Sequence, residues 1–399
     1  MLSETLSAID DSIRPECSNC GETMTSKEKR TKQITSLPGD CSITRRYYEC
    51  SNCRSHDIPK DRMLGIEGTS FTPGVVYATS KLSGCDSFRS SSEGLKELCG
   101  IDVTSKEAER LAESTGEKIE ALNKQKAEDV FAQLETPAPE ISIPIMYIEF
   151  DGTGVPMTKK ELAGRHGKQE DGTARTREAK LGCIFTQTGV DEDGNPVRES
   201  NSTTYFGAIE SAAEFGKRLF GEATHRGVSF ADKVVIIGDG AKWIWNLAAE
   251  HFPRAIEIID LYHAKEHVYN LIKIVVADEK LRYHYKKKWY AILEKGDIEG
   301  LLSEFSIIDA KTKEQQEAIE REIGYFAENA TRMQYANFKE QNLFVGSGVI
   351  EAGCKTVIGK RLKQSGMRWS LCGANSMIAL RCAILSGVYE QAFNHLKAV

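Results

Sequence analysis

Ile143-Pro-Ile-Met-Tyr-Ile-Glu-Phe-Asp151-Gly-Thr-Gly-Val-Pro156 is the stretch whose reading decides the fold. Its first half is an apolar run of strand length, so it reads as a buried strand. The strand ends in Asp151, and the glycines after it read as a turn. A second run of the same kind, Lys233-Val-Val-Ile-Ile-Gly-Asp239-Gly, also ends in an aspartate followed by glycine. Between the two runs lie strand patterns at Ala179–Thr186 and near Ser200–Phe206, joined by a turn at Asp191–Pro196. A helical period then passes through Ile209, Ala212, Phe215, Leu219 and Ala223. After Asp239 a helix starts near Trp243, a fifth strand covers Ala255–Asp260, and another helix follows.

Three strands, helix, strand, helix, strand is the order of an α/β, ribonuclease-H-like domain, an antiparallel meander continued by parallel strand–helix units. In that topology the first and fourth strands are neighbours, so Asp151 and Asp239 converge. Hard divalent cations such as Mg2+ or Mn2+ take oxygen ligands. Two such ions can activate an attacking oxygen and stabilise a leaving one in phosphoryl transfer. One strand-terminal aspartate also serves as a helix cap or turn residue. Two of them, each followed by glycine at the right places of one strand order, point to a metal site.

A third carboxylate is expected from a later helix. From about 261 to 341 the pattern is almost wholly helical, with a basic stretch at Lys280–Lys288. Then Gly346-Ser-Gly-Val-Ile-Glu351 opens a new helix that runs on to Trp369 through Lys355, Lys360, Arg361, Lys363 and Arg368, with no acidic residue from Gly353 to Arg368. Glu351 reads as the third ligand, beside a DNA-binding face made by these five cations and Trp369. The plainer alternative is a carboxylate favoured by the helix dipole. Trp243, Trp245 and Trp369 are candidates for stacking on bases or for core packing.

The N-terminal part carries a different signal. Cys17-Ser-Asn-Cys20 and Cys50-Ser-Asn-Cys53 are two CxxC pairs with the same inner dipeptide. Two such turns supply the four thiolates of a closed tetrahedral Zn2+ site. Short strands at Lys32–Ser36 and Ser42–Glu49, around a turn at Leu37–Asp40, make the unit a zinc ribbon. Lys27, Lys29, Arg30, Lys32, Arg45 and Arg46 surround it, so its role is DNA contact or that of a structural staple. Helices are expected over Ser87–Leu98 and from Thr104 or Ser105 to about Leu134, with Glu107 as capping-box partner. Separated by a glycine-containing turn, they resemble a helix-turn-helix, or serve as a helical linker. A hinge follows at 135–140.

Composition narrows the class. The 399 residues are 40% hydrophobic and 28% charged, with a net charge of −6. That balance counts against a simple DNA-coating protein but not against an enzyme that concentrates carboxylates for metal. There is no apolar run of membrane-spanning length and no secretory core at the N-terminus, so the expectation is a cytoplasmic protein without a membrane partner. The expected domains are a zinc ribbon at 1–60, a helical DNA-binding region and linker at 61–140, and the catalytic domain at 141–399 with an all-α insertion at about 270–342.

Asp151-Gly-Thr-Gly-Val-Pro, the stretch 177–183, Gly238–Trp245, Asp260-Leu-Tyr-His-Ala-Lys-Glu-His267 and Gly346–Trp369 resemble bacterial insertion-sequence DDE transposases of the ISKra type, relatives of the Mutator-like enzymes. The resemblance spans most of the chain. It implies a ribonuclease-H-like fold and a catalytic triad of Asp151, Asp239 and Glu351 holding Mg2+ or Mn2+. The helical block matches the all-α insertion of Mutator-like relatives. Asp260-Leu-Tyr-His263 fits a motif those relatives carry, which makes His263 a substrate-side candidate; the alternative is an Asp cap with His263 and His267 packed one turn apart. The implied activity is cleavage of element ends and strand transfer into target DNA. The implied partners are double-stranded DNA and, on paired ends, further copies of the chain, with nucleoid association when DNA is bound. The rival readings are a catalytically inactive, domesticated DNA-binding protein and a ribonuclease-H-like nuclease without strand transfer.

Overall fold

The computed structural model describes residues 2–132, 142–167 and 172–398; the hinge read at 135–140 lies outside them. The chain divides into two compact units, residues 1–120 with 388–399, and residues 121–387.

In the first unit the ribbon is a long hairpin. Strand β1 (Thr25–Ser36) pairs antiparallel with β2 (Gly39–Glu49), and the short β3 (His56–Asp57) adds to β2. The strands are longer than the sequence pattern alone predicts. The hairpin's far end buries Ile34 and Ile43 against Ile66, and its near end buries Met24 and Tyr48 beside Cys17 and Cys50. The helices over Phe88–Cys99 and Ser105–Phe131 fall where the pattern puts them. Thr104 and Glu107 exchange the reciprocal bonds of a capping box, Glu107 N–H donating to the Thr104 hydroxyl at 3.2 Å and Thr104 N–H to the Glu107 carboxylate at 3.0 Å. Leu95, Ile101, Val103, Ala108 and Leu111 pack on Phe71 and Val75 to form a small core.

The second unit is built on a six-stranded mixed sheet. Its strands are β4 (Ile143–Pro156), β5 (Thr176–Val190), β6 (Pro196–Arg198), β7 (Thr204–Ala208), β8 (Ala231–Gly238) and β9 (Ile256–Ile259). The order is β6-β5-β4-β8-β9, with β7 also on β5. β4, β5, β6 and β7 pair antiparallel, whereas β4–β8 and β8–β9 are parallel. Both faces of the central strands are covered. Met146, Tyr147, Ile148 and Phe150 on β4, and Val235, Ile236 and Ile237 on β8, are all fully buried. This explains continuous apolar runs in place of alternation. Each such large side chain contributes about 1.5–3 kcal/mol by leaving water.

Two elements depart from expectation: the short β6 is a sixth strand beyond the five expected, and the glycines after Asp151 lie in a strand. Gly152-Thr-Gly154 is not a turn: it continues β4 to Pro156, opposite Thr176–Lys180 of β5. The reason is steric. A Cβ on Gly152 would come within 2.6 Å of the Glu178 carboxylate, and one on Gly154 within 2.9 Å of the Thr176 hydroxyl. Glycine here keeps two crowded strands paired.

Five helices over Leu261–Val275, Glu279–Glu294, Ile298–Ser306, Lys313–Glu328 and Tyr335–Glu340 separate the sheet from the Glu351 helix. The chain's return is fixed at the sheet. The Tyr147 hydroxyl accepts from Phe344 N–H at 3.2 Å, and the Gln187 amide donates to the Asn342 carbonyl at 2.9 Å.

Candidate functional site

β4 and β8 run side by side only as far as Glu149 opposite Ile237. Asp151 lies two residues past the end of that ladder, and Asp239 follows the last residue of β8. The two carboxylates therefore emerge from neighbouring parallel strands at the same edge. Asp151 Oδ1 accepts from Gly152 N–H at 2.6 Å, and the Cys354 thiol lies 3.7 Å from its Oδ2. Burial holds the Asp151 carboxyl above its ordinary range; the Gly152 N–H opposes this, and the charge of Asp239 adds to it. Asp239 Oδ1 accepts from Ala241 N–H at 2.8 Å, shaping the turn into the helix Lys242–His251.

The Glu351 helix is anchored from below by a residue that the sequence reading passed over. Glu149, on β4, is wholly buried, and its Oε2 accepts the Ile350 N–H at 2.8 Å. That N–H belongs to the helix's first turn, where intrahelical partners are missing. Burial pushes the Glu149 carboxyl up to about 8, the Ile350 bond opposes it, and the charge of Asp260 adds to it. Asp260 holds the same region from the other side. Its Oδ1 accepts the His263 N–H at 2.6 Å, capping the helix Leu261–Val275, and its Oδ2 accepts the Ser347 N–H. Leu261 N–H donates to the Val345 carbonyl at 2.9 Å. The turn leading to Glu351 is thus tied to both β4 and the end of β9.

Glu351 itself is 54% exposed and faces Lys355, 3.9 Å away. Among the described residues, four cysteines are the one set of three or more His, Cys, Asp or Glu whose donor atoms lie within metal-binding reach of one another. The aspartates are brought together, but Glu351 is not gathered with them in this state. Helix geometry near it is unusual: Gly348–Gly353 is α-helical, Cys354–Gly359 is a π-helical turn, and Lys360–Leu362 returns to α. Such turns occur often at functional sites.

Only some of the cations on this segment face outward. Lys355, Lys360, Lys363 and Arg368 are exposed, and Lys363 donates to the Thr153 hydroxyl at 2.6 Å, just past Asp151. Arg361 and Trp369, expected on the same face, are instead interior. Arg361 is 0% exposed, with its guanidinium 5.2 Å from the Trp369 ring centre, and the Trp369 indole donates to the Leu362 carbonyl at 2.9 Å. Trp245 is likewise buried, under Arg332, and Trp243 packs near Phe150 and Phe215.

His263 is half-buried, with its ring 5.0 Å from that of His267. His267 stacks on Tyr325 at 3.9 Å, and its Nδ1 is 2.6 Å from the carboxylate of buried Glu322. A Cβ on Gly240, next to Asp239, would overlap the Tyr325 ring. The insertion therefore reaches the aspartate edge. Glu322 and Tyr325 carry no sequence signal of this, whereas Glu149 does, as the lone acid in an apolar strand.

In the ribbon the Sγ atoms of Cys17 and Cys53 are 3.4 Å apart, those of Cys20 and Cys50 3.5 Å, and those of Cys20 and Cys53 3.8 Å. Tetrahedral zinc with bonds of about 2.3 Å sets sulfurs about 3.8 Å apart, so the cluster fits that ion. The two knuckles match: Gly21 N–H donates to the Cys17 carbonyl and Arg54 N–H to the Cys50 carbonyl, with both residues at positive φ. The Ser55 hydroxyl lies 2.9 Å from the Cys17 sulfur and 3.0 Å from that of Cys53. The nearby cations are largely engaged within the protein. Lys32 and Arg45 both bind Asp61, at 3.3 and 2.7 Å, and Arg46 binds Asp11 at 3.3 Å.

Fold and sites define a mixed α/β protein with a four-cysteine zinc-competent hairpin and a pair of converging strand-edge aspartates. The family model described as "Uncharacterised protein family (UPF0236)" matches residues 1–397, and the chain belongs to that family. It is 23% identical over 372 residues, 90% of this chain and 74% of the relative, to the "UPF0236 protein in vanSb 3'region" of Streptococcus gallolyticus. It is also 23% identical over 361 residues, 89% of this chain and 68% of the relative, to a UPF0236 protein of Caldanaerobacter subterraneus whose name runs through eleven locus designations. Among solved structures it is similar to the Drosophila P element transposase strand transfer complex, at 9% identity and a TM-score of 0.26 over 80% of each chain. No described helix is long and apolar enough to cross a membrane.

Proposed function

We propose that the chain is a DNA transposase with a ribonuclease-H-like catalytic domain, which cleaves element ends and joins them to target DNA. The observation that carries the reading is the adjacency of Asp151 and Asp239 where the parallel β4–β8 ladder ends. The strand order β6-β5-β4-β8-β9, antiparallel then parallel, is the order that fold requires. A protein name that runs through eleven loci of one genome is also what a self-copying element leaves behind.

The donor set suits a hard divalent cation. Asp151 and Asp239 are close enough for one charge to perturb the other, a repulsion that Mg2+ or Mn2+ would relieve. Asp151 and Asp239 would hold the metal, with Glu351 joining them by turning away from Lys355. When bound, paired ions lower the barrier by favouring the attacking oxygenate and the charge on the leaving oxygen. The chain's own residues do the rest. Glu149 and Asp260 fix the position of the Glu351 helix. Lys355, Lys360, Lys363 and Arg368 bind backbone phosphates, and His263 orients the strand near the scissile bond. Water is the first nucleophile, and the freed 3′-hydroxyl then attacks the target strand.

An assay with a labelled element-end duplex and a plasmid target tests this. The wild type should give joined products in Mg2+ or Mn2+, and Asp151→Asn should give none while still binding the ends. Nicks without joined products in the wild type would replace the transposase with a simple nuclease.

A further inference from the structure

The helices Leu261–Val275 and Glu279–Glu294 carry a surface that the proposed chemistry does not use. Tyr262 lies two residues after Asp260, and its ring lies 3.0 Å from where a Cβ on Gly346 would sit, against the turn leading to Glu351. From that point cations and rings alternate. Lys265 Nζ is 5.7 Å from the Tyr262 ring centre and 5.4 Å from that of Tyr290. Lys286 Nζ is 5.5 Å from Tyr290 and 5.3 Å from Tyr269, and Lys273 Nζ is 5.1 Å from Tyr269. Six residues thus form one continuous stripe.

Each part of the stripe has a feature that suits a ligand. Tyr262 is 68% exposed and Tyr269 37%, so π-faces are offered to solvent. Residues 261–290 hold seven Lys and Arg against three Asp and Glu, in a chain whose net charge is −6. Lys265 is partly neutralised by Glu294. Among the described residues, no carboxylate pairs with Lys273 or Lys286, whose ammonium groups lie over tyrosine rings. An interleaved row of aromatic faces and ammonium groups matches a nucleic-acid strand, with bases stacking on the rings and phosphates meeting the cations. A duplex hides its base faces, so this chemistry selects an unpaired strand.

We propose that Tyr262, Lys265, Tyr290, Lys286, Tyr269 and Lys273 form a track for a single DNA strand that starts beside the carboxylate edge. The proposal rests on the reading of that edge as a DNA-cutting site only for the origin of the strand. The test is fluorescence anisotropy of the full-length protein with a labelled oligothymidylate and with a duplex of equal length, titrated in KCl. The double variant Tyr262→Ala/Tyr269→Ala should bind the single strand about tenfold or more weakly, with a much smaller loss on duplex. Tyr262→Phe/Tyr269→Phe, which keeps the rings, should bind as the wild type does. Lys273→Gln/Lys286→Gln should reduce the salt slope on single strands by about 0.7 per lysine removed. Melting temperature checks that each variant is folded. Unchanged single-strand affinity in the folded alanine or glutamine variants, or equal losses on both probes, would overturn the track. Metal-dependent cleavage with wild-type strand affinity in the tyrosine variants would sink the track alone. Absent cleavage in the wild type, with strand binding that depends on the tyrosines, would sink the enzymatic reading alone.

Discussion

Glu149 shows how a single buried carboxylate shapes this protein. Its ordinary carboxyl value of 4.5 is raised to about 8 by burial in the folded chain. A raised value means the folded state holds the proton more tightly. The stabilisation this gives is fully present below about pH 4.5 and is lost as the pH rises through 8. Without added Mg2+ or Mn2+, the wild type should therefore melt lower at pH 8 than at pH 5.5 by a few degrees, with each kcal/mol worth about 2–4 °C. Glu149→Gln keeps an acceptor for the Ile350 N–H and should flatten that dependence. Equal pH slopes in the two proteins would remove the argument. Asp151 and Asp239 were legible because each ends an apolar run before a glycine. Arg361 and Trp369 were not, because composition gives the charge of a segment but not the direction in which a side chain points.

At the scale of elements, the ribbon was the most legible part. Two CxxC turns state their geometry in four residues, and the sulfurs of Cys17, Cys20, Cys50 and Cys53 come together as the spacing requires. The purified protein should carry one zinc ion per chain by atomic absorption. Cys20→Ser should lose most of it and unfold the hairpin, seen as rapid proteolysis at Arg30 or Arg54. Full zinc occupancy in that variant would contradict the assignment. The Glu351 helix was less legible. Arg361 falls on the helical stripe of buried Ile350 and Val357, so its charge, grouped with that of its neighbours, concealed an interior position. The Gly152–Pro156 segment misled for a related reason. Glycine pairs suggest turns, yet here they keep strands paired under the Glu178 and Thr176 side chains.

For the molecule as a whole, the strand order was readable because helical and strand periods alternate through residues 143–260. The way the insertion reaches the aspartates was not, since Tyr325 and Glu322 lie far along the chain and show no pattern that marks them. In a chain of net charge −6, the exposed cations beside the aspartates carry the DNA affinity of that face. Lys360→Gln/Lys363→Gln should weaken duplex binding at all sequences alike and lower the salt slope by about 0.9 per charge, read by anisotropy at several KCl concentrations. An unchanged slope would move the duplex away from this face. The claim on which the rest depends is that Asp151 and Asp239 together support metal-dependent cleavage. The direct measurement is single-turnover cleavage of a labelled element-end duplex in Mn2+ by the wild type and by Asp239→Asn. The account predicts cleavage by the wild type and a loss of at least about a thousandfold in the variant, with end binding retained. Cleavage by Asp239→Asn at the wild-type rate would contradict it.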